Sequence, residues 1–180
     1  MKIRNPFFVR DALTVAQDLL GKKLVRKIGN KKITGIIVET EAYVGPKDKA
    51  SHSYEWKRTK RNEAEYLNGG CIYTYLCYGV NWQLNIVTSK KGVPECVLIR
   101  ALELPGKTRD ASGPGKLCKW LKVSGSFNKE DLTKSKRIWI EDGPKPKIVF
   151  AKRVGIDYAG KWAKKPWRFY IKNNPFISRK

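Results

Sequence analysis

Apolar residues at Leu13, Ala16, Leu19 and Leu20 fall on one side of a 3.6-residue period. They predict a helix over residues 11–20, with Gly21 as its stop. The pattern then shortens. Residues 23–28 and 32–38 read as strands, and Gly29-Asn30 between them has the chemistry of a tight hairpin turn. The second strand runs on into residues 39–43. Residues 71–78 (CIYTYLCY) are rich in strand formers, residues 79–82 turn the chain, and residues 83–88 return it as a second hairpin. A turn at Lys90-Lys91-Gly92 leads to a strand over 96–102. Ser112-Gly113-Pro114-Gly115 opens a helix over 116–121. Short strands follow at 137–141, 147–151 and 167–171. Many short strands with few helices predict an α+β fold around a curved antiparallel or mixed sheet. At 180 residues, with no repeat and no low-complexity linker, the chain is expected to be one compact domain over 1–180.

One connection stands apart. Residues 46–61 form a polar, basic stretch too long for an ordinary link in a compact domain, so a functional loop is expected there. Just before it the chain reads IVETEAYVGPKDKASHSY, residues 37–54. Glu39, Glu41 and Tyr43 share one face of a strand, consecutive members about 7 Å apart. His52, the only histidine, follows. Two acids that close raise each other's pKa if enclosed. On spacing alone the plainer reading, acids that are solvated or paired with lysines, is the favoured one. Tyr73 and Tyr75, on one face of their strand, read by themselves as core aromatics.

Charge changes the picture. The chain holds 38 Lys+Arg against 16 Asp+Glu, a net charge of +22, which implies a polyanionic partner or surface. The bland alternative is a surface of solubilising lysines. Cys71, Cys77, Cys96 and Cys118 show no C-x-x-C pairing, and with one histidine a structural zinc site is not expected. They read as reduced, small apolar residues. No signal peptide and no run of about 18 apolar residues is seen, so a soluble intracellular protein without a membrane partner is expected. The P-loop pattern is absent, which argues against nucleotide hydrolysis.

VETEAYVGP at 38–46 and HS at 52–53 resemble the alkyladenine (3-methyladenine) DNA glycosylase family. The likeness continues in TKRN (59–62), YTYLCYG (73–79), Asn85-Ile86, VLIRAL (97–102), GPGKLC (113–118) and KPWRFY (165–170), in order along nearly the whole chain. The resemblance implies a domain with a protruding hairpin and a monofunctional DNA glycosylase of base excision repair. Such an enzyme flips an alkylated or deaminated purine out of duplex DNA, hydrolyses its N-glycosidic bond and leaves an abasic site.

The resemblance also implies roles. Glu41 aligns with the general base, and Arg100 with the residue that holds that carboxylate and its water. Tyr43, His52 and Tyr75 become pocket walls around the base, and Asn85 a residue that disfavours a guanine 2-amino group. Tyr78, at the hairpin tip, becomes the side chain that enters the duplex. Thr59, Arg61 and Lys116 lie along the DNA backbone. No metal or cofactor is expected. The partner is double-stranded DNA containing damaged purines, the protein a monomer, the compartment nucleoid or cytoplasm if bacterial and nucleus if eukaryotic. The lesion range spans 3-methyladenine, 7-methylguanine, hypoxanthine and ethenoadenine.

Three stretches depart from the family pattern: Tyr54 to Lys60, where a glycine-rich stretch is expected and Glu55 and Trp56 are unusual; NEAEYLN at 62–68, which is more acidic; and Gly115, in place of a small polar residue. Two rival functions remain at this level: a DNA-bending module without chemistry, and a glycosylase/lyase with a Schiff-base lysine.

Overall fold

The computed structural model describes residues 1–179. Two short helices open it, α1 (Asn5–Phe8) and α2 (Ala12–Asp18). Asp11 caps α2 by accepting from the Thr14 N–H at 2.9 Å, so the predicted helix is real but one residue shorter at its start and two at its end. Gly21 turns the chain at φ +83°, and a Cβ there would lie 2.2 Å from the Pro144 carbonyl oxygen.

Eight strands follow in one sheet: β1 (Lys23–Ile28), β2 (Lys31–Tyr43), β3 (Ile72–Cys77), β4 (Asn81–Thr88), β5 (Glu95–Glu103), β6 (Ile138–Glu141), β7 (Ile148–Ala151) and β8 (Arg168–Ile171). Their order is β3-β4-β5-β2-β1-β6, with β8 pairing both β2 and β7. All pairings are antiparallel, which resolves the antiparallel-or-mixed expectation. The fold is α+β, and the sheet curls into an antiparallel half-barrel. Ile28 pairs with Lys31, leaving Gly29-Asn30 as the two-residue turn.

β2 is longer than its apolar run, because residues 39–43 continue the ladder. Its first part pairs with β1 and its last part with β8, while β5 runs beside most of it. Its register slips on either side of Glu39, the bulge geometry that bends a strand and re-aims its side chains.

Alternation along these strands separates core from site. Ile72 on β3, Leu84 and Ile86 on β4, Val97 and Ile99 on β5 and Ala42 on β2 enter the main core with α2 and with α3 (Pro114–Leu121). The intervening residues (Tyr73 and Tyr75, Gln83 and Asn85, Cys96 and Arg100, Glu41 and Tyr43) face the opposite side and line one cleft. The core face holds the sheet; the other face is free for chemistry.

One expectation needs correcting: the turn is Tyr78-Gly79, with β3 ending at Cys77 and residues 81 and 82 already in β4. The basic stretch 46–61 is a loop with two 3₁₀ turns; its first half buries Asp48, Ser51 and Ser53, and residues 55–61 are exposed. Helix α1, a single turn of four residues, and the 3₁₀ segment Asp157–Lys164, broken at Gly160, are absent from the sequence expectations. Cys96 and Cys118 are buried, Cys71 and Cys77 half-buried, and all four are free thiols. No helix among the described residues is long and apolar enough to cross a membrane.

Candidate active site

The cleft has a volume of about 560 Å³. Glu41 lies in its wall with no solvent exposure of its own. Its Oε1 accepts the Val154 N–H at 2.7 Å and lies 3.2 Å from Arg100 Nη1; its Oε2 accepts the Tyr43 hydroxyl at 2.9 Å. A buried carboxylate so held is fixed in orientation and electrostatically compensated. Burial and the neighbouring Glu41 charge push the Tyr43 hydroxyl well above its ordinary pKa, so Tyr43 stays a donor. Burial would lower the Arg100 pKa, but Glu41 and Glu39 outweigh it and hold the guanidinium charged.

Glu39, whose role sequence leaves undefined, is the anchor of this arrangement. It receives Arg100 Nε at 3.1 Å, Arg168 Nη1 at 3.0 Å and the Ser178 N–H at 2.5 Å. It thereby ties β2, β5, β8 and the C-terminal segment together.

Aromatic rings form the rest of the slot. His52 stands edge-on to Tyr75 at 4.6 Å between centroids, and its Nδ1 is 2.7 Å from the Tyr73 hydroxyl. Tyr73 and Tyr75 lie 5.4 Å apart. His52 is open to solvent on one side at the cleft mouth. Desolvation by the surrounding packing, with Arg61 and Lys57 adding repulsion, still brings its pKa down to about 4, so the ring is neutral near pH 7. Asn85 is buried with its amide donating to the Tyr73 carbonyl at 3.2 Å, and it lines the cleft.

Tyr78 sits at the hairpin tip, 95% exposed, with its ring supported by nothing in the core. The Cys77 carbonyl accepts from the Val80 N–H at 3.1 Å, and both central residues have positive φ, Tyr78 at +50° and Gly79 at +70°. Type I′ turns require that pair of conformations. A tyrosine there is strained, and such strain gathers at functional sites.

Of the three residues expected along a backbone, Arg61 lines the cleft, whereas Thr59 and Lys116 lie outside its lining. Thr59 donates to the Asn62 side chain through both N–H and hydroxyl, which closes the loop after His52. Arg61 bridges to the hairpin: it donates to the Leu76 carbonyl at 3.1 Å and its guanidinium lies 5.4 Å from the Tyr75 ring centroid. Lys116 is exposed in the first turn of α3, in a shallow groove shared with Cys77 and Asn81. A Cβ on Gly115 would lie 3.0 Å from the Asn81 side chain, a tight approach that a larger residue would relieve only by shifting Asn81.

Sequence reading misses Arg153. It is buried and forms a bidentate pair with Asp48 (Nη1–Oδ2 2.5 Å, Nη2–Oδ1 2.8 Å), and its guanidinium packs 4.7 Å from the Tyr43 ring centroid. It precedes Val154, the donor to Glu41. No motif surrounds it; the available signal was Asp48, an acid inside the matched 37–54 stretch that needed a partner. Glu65, which also lines the cleft, is missed for the same reason.

These features define a class: a hydrolase-like slot for a flat ring, with an enclosed carboxylate at one side and an exposed aromatic hairpin beside its mouth. The family model of methylpurine-DNA glycosylases matches residues 6–175. The chain is 44% identical to a Natranaerobius thermophilus protein named "Putative 3-methyladenine DNA glycosylase", over 99% of each chain. It is 46% identical to a Borrelia garinii protein of the same name, over 97% of this chain and 98% of that one. It is 40% identical to human DNA-3-methyladenine glycosylase, over 96% of this chain and 66% of the human one. The chain belongs to the methylpurine-DNA glycosylase family.

Proposed function

We propose that this protein is a monofunctional DNA glycosylase that removes alkylated or deaminated purines from duplex DNA and leaves an abasic site. The observation that carries this reading is the Glu41 carboxylate: fully buried, fixed by Arg100, Val154 and Tyr43, and set in the wall of a cleft of purine-compatible size. A flipped base stacks among Tyr43, His52 and Tyr75, the mode by which extruded bases are held. Asn85 restricts the base edge. Tyr78 fills the gap left in the duplex, as apolar wedges do in the minor groove. Thr59, Arg61 and Lys116 follow the phosphates, and the +22 net charge supplies salt-sensitive affinity.

Glu41 takes a proton from water as the water attacks C1′ and the bond to the base breaks. Its charge also stabilises the developing oxocarbenium ion. The base departs with the bonding electron pair and the sugar gains the hydroxyl. Arg100 keeps the carboxylate aimed. Among the described residues no lysine lines the cleft, which disfavours a Schiff-base lyase. The reading carries with it a single domain over 1–180, a monomer acting on damaged double-stranded DNA, and an intracellular location.

The test is single-turnover release from duplexes holding one hypoxanthine, ethenoadenine or 7-methylguanine, followed by hot alkali. Strand breaks only after alkali are expected, and Glu41→Gln is expected to abolish them while sparing binding to abasic-site DNA. Breaks before alkali would establish a lyase. A Gln variant working at the parental rate would remove Glu41 from the role of base.

A further inference from the structure

A second acid belongs to the cleft, and the chemistry above leaves it idle. Glu65 lies in the 3₁₀ turn Glu63–Tyr66, is 1% exposed, and lines the same cleft as Glu41. Its Oε1 is 3.6 Å from the Cys96 thiol, and its Oε2 is buried with no hydrogen-bond partner. A buried polar atom left unpaired in this way costs about 1–3 kcal/mol, so a partner entering the cleft would be favoured there. The groups around it from the packed elements are Tyr73 and Tyr75 of β3, Asn85 of β4, Cys96 of β5 and Tyr66 of its own turn. None of these carries a positive charge; the cations nearest to them, Arg58 against the Tyr66 ring and Arg61 against the Tyr75 ring, are exposed.

Resting on the glycosylase reading, we propose that Glu65 is a specificity-determining residue that favours flipped purines bearing a positive ring charge, as purines alkylated on a ring nitrogen do, over neutral ones such as hypoxanthine. An ionised Glu65 compensates that charge where aromatic faces alone would do so weakly. A neutral purine offers no such compensation and leaves the acid protonated. Burial raises the Glu65 pKa to about 7, partly offset by Asn62 and Cys96, so the carboxyl can change state at working pH. His52, at about 4, does not titrate in that window.

The experiment measures single-turnover release of 7-methylguanine and of hypoxanthine by the parent, Glu65→Gln and Glu65→Met, from about pH 5.5 to about pH 8.5. The readout is the ratio of the two rates within each protein, which cancels Glu41, DNA binding and concentration. Dividing the parental profile by a variant's removes titration of the bases themselves. The quotient is expected to rise with pH through about 7 by at least about tenfold, since an opposite charge within about 4–6 Å is worth one or more pKa units. Thermal melting checks that each variant folds; the apolar Met variant carries the test if Gln does not. A quotient independent of pH, with either folded variant, overturns the assignment to Glu65 and leaves the glycosylase intact. A parent that releases neither base at any pH overturns the glycosylase reading, and this inference with it.

Discussion

The backbone N–H of Val154 meets Oε1 of Glu41 at 2.7 Å, across 113 residues of chain. That donor is held in place by its neighbour: Arg153 is locked to Asp48 by two charge-assisted hydrogen bonds and also donates to the Ala42 carbonyl at 2.9 Å. The buried Asp48–Arg153 pair is therefore a strut that aims the candidate catalytic carboxylate. Breaking it should damage both fold and chemistry. Arg153→Met leaves Asp48 buried and unpaired, a change that typically costs about 3–5 kcal/mol. A melting temperature lowered by roughly 10 °C is expected, about 2–4 °C per kcal/mol for a chain of this size. The double variant Asp48→Asn/Arg153→Met should recover much of the stability but not the rate. Recovery of both would mean that Arg153 does not position Glu41.

Arg100 links the two acids of β2, with Nε on Glu39 and Nη1 on Glu41. Glu39 retains Arg168 and the Ser178 N–H if Arg100 is removed, whereas Glu41 loses the guanidinium in contact with it. Arg100→Met should therefore lower single-turnover release by about 10²–10³, the usual scale for removing one preorganised electrostatic partner. Arg100→Lys keeps the charge but not the two-pronged geometry, so only partial recovery is expected. DNA affinity should change little in either, since Arg100 is almost wholly buried. Equal losses in affinity and rate would place Arg100 on the DNA rather than on the carboxylate.

The parts of this site that were legible in the sequence share a cause. Glu39, Glu41 and Tyr43 alternate on one strand, and so do Tyr73 and Tyr75, so the two-residue strand period was enough to put each set on one face. The turn at Tyr78-Gly79 was readable only in part: Gly79 marked it, but the strand formers over 71–78 put Tyr78 in the strand and the turn over 79–82. Arg153, Val154 and Glu65 were not legible, because the first two reach the cleft from the irregular stretch after β7 and Glu65 from a 3₁₀ turn, where no strand alternation fixes side-chain direction. The bulges flanking Glu39 were equally hidden: a slip in register depends on which strands pair, and β5 and β8 are separated from β2 by dozens of residues. The apolar run 33–38 marked where β2 begins to enter the core, and the alternation of Glu39, Glu41 and Tyr43 carried the strand on to its end at Tyr43; that β5 and β8 are its neighbours there is what propensity does not encode.

Tyr78 offers a clean separation of stability from function. Its side chain is 95% exposed and its φ is +50°, a conformation that costs an L residue about 1–2 kcal/mol relative to glycine. Tyr78→Gly should leave the melting temperature unchanged or raise it, because nothing packed is lost. Release of a base from fully paired duplex should fall, while release from a duplex with the lesion opposite a gap should fall less, since there the stack is already open. A variant less stable than the parent, or one equally impaired on both substrates, would contradict a wedge acting through unstacking.

Two groups of the cleft should shape the pH dependence of stability in opposite directions. Glu65 has its pKa raised from 4.5 to about 7 by burial, so the folded chain keeps a proton that the unfolded chain releases. Its contribution is fully present below about pH 4.5 and is lost as pH rises through about 7. His52 has its pKa lowered from 6.5 to about 4, chiefly by desolvation, so the unfolded chain takes up a proton that the folded chain refuses. Its contribution is present above about pH 6.5 and is lost as pH falls towards about 4. Glu65→Gln removes the first effect. Its stability relative to the parent should therefore improve by about 3 kcal/mol between about pH 4 and about pH 8, at 1.36 kcal/mol per pKa unit. His52→Gln should act on the acid side only, narrowing the loss of stability between about pH 6.5 and about pH 4, by an amount reduced because the ring is partly open to solvent. Chemical denaturation of the three proteins across this range checks both signs at once. A Glu65→Gln difference that is flat in pH would mean that Glu65 ionises normally in the folded chain.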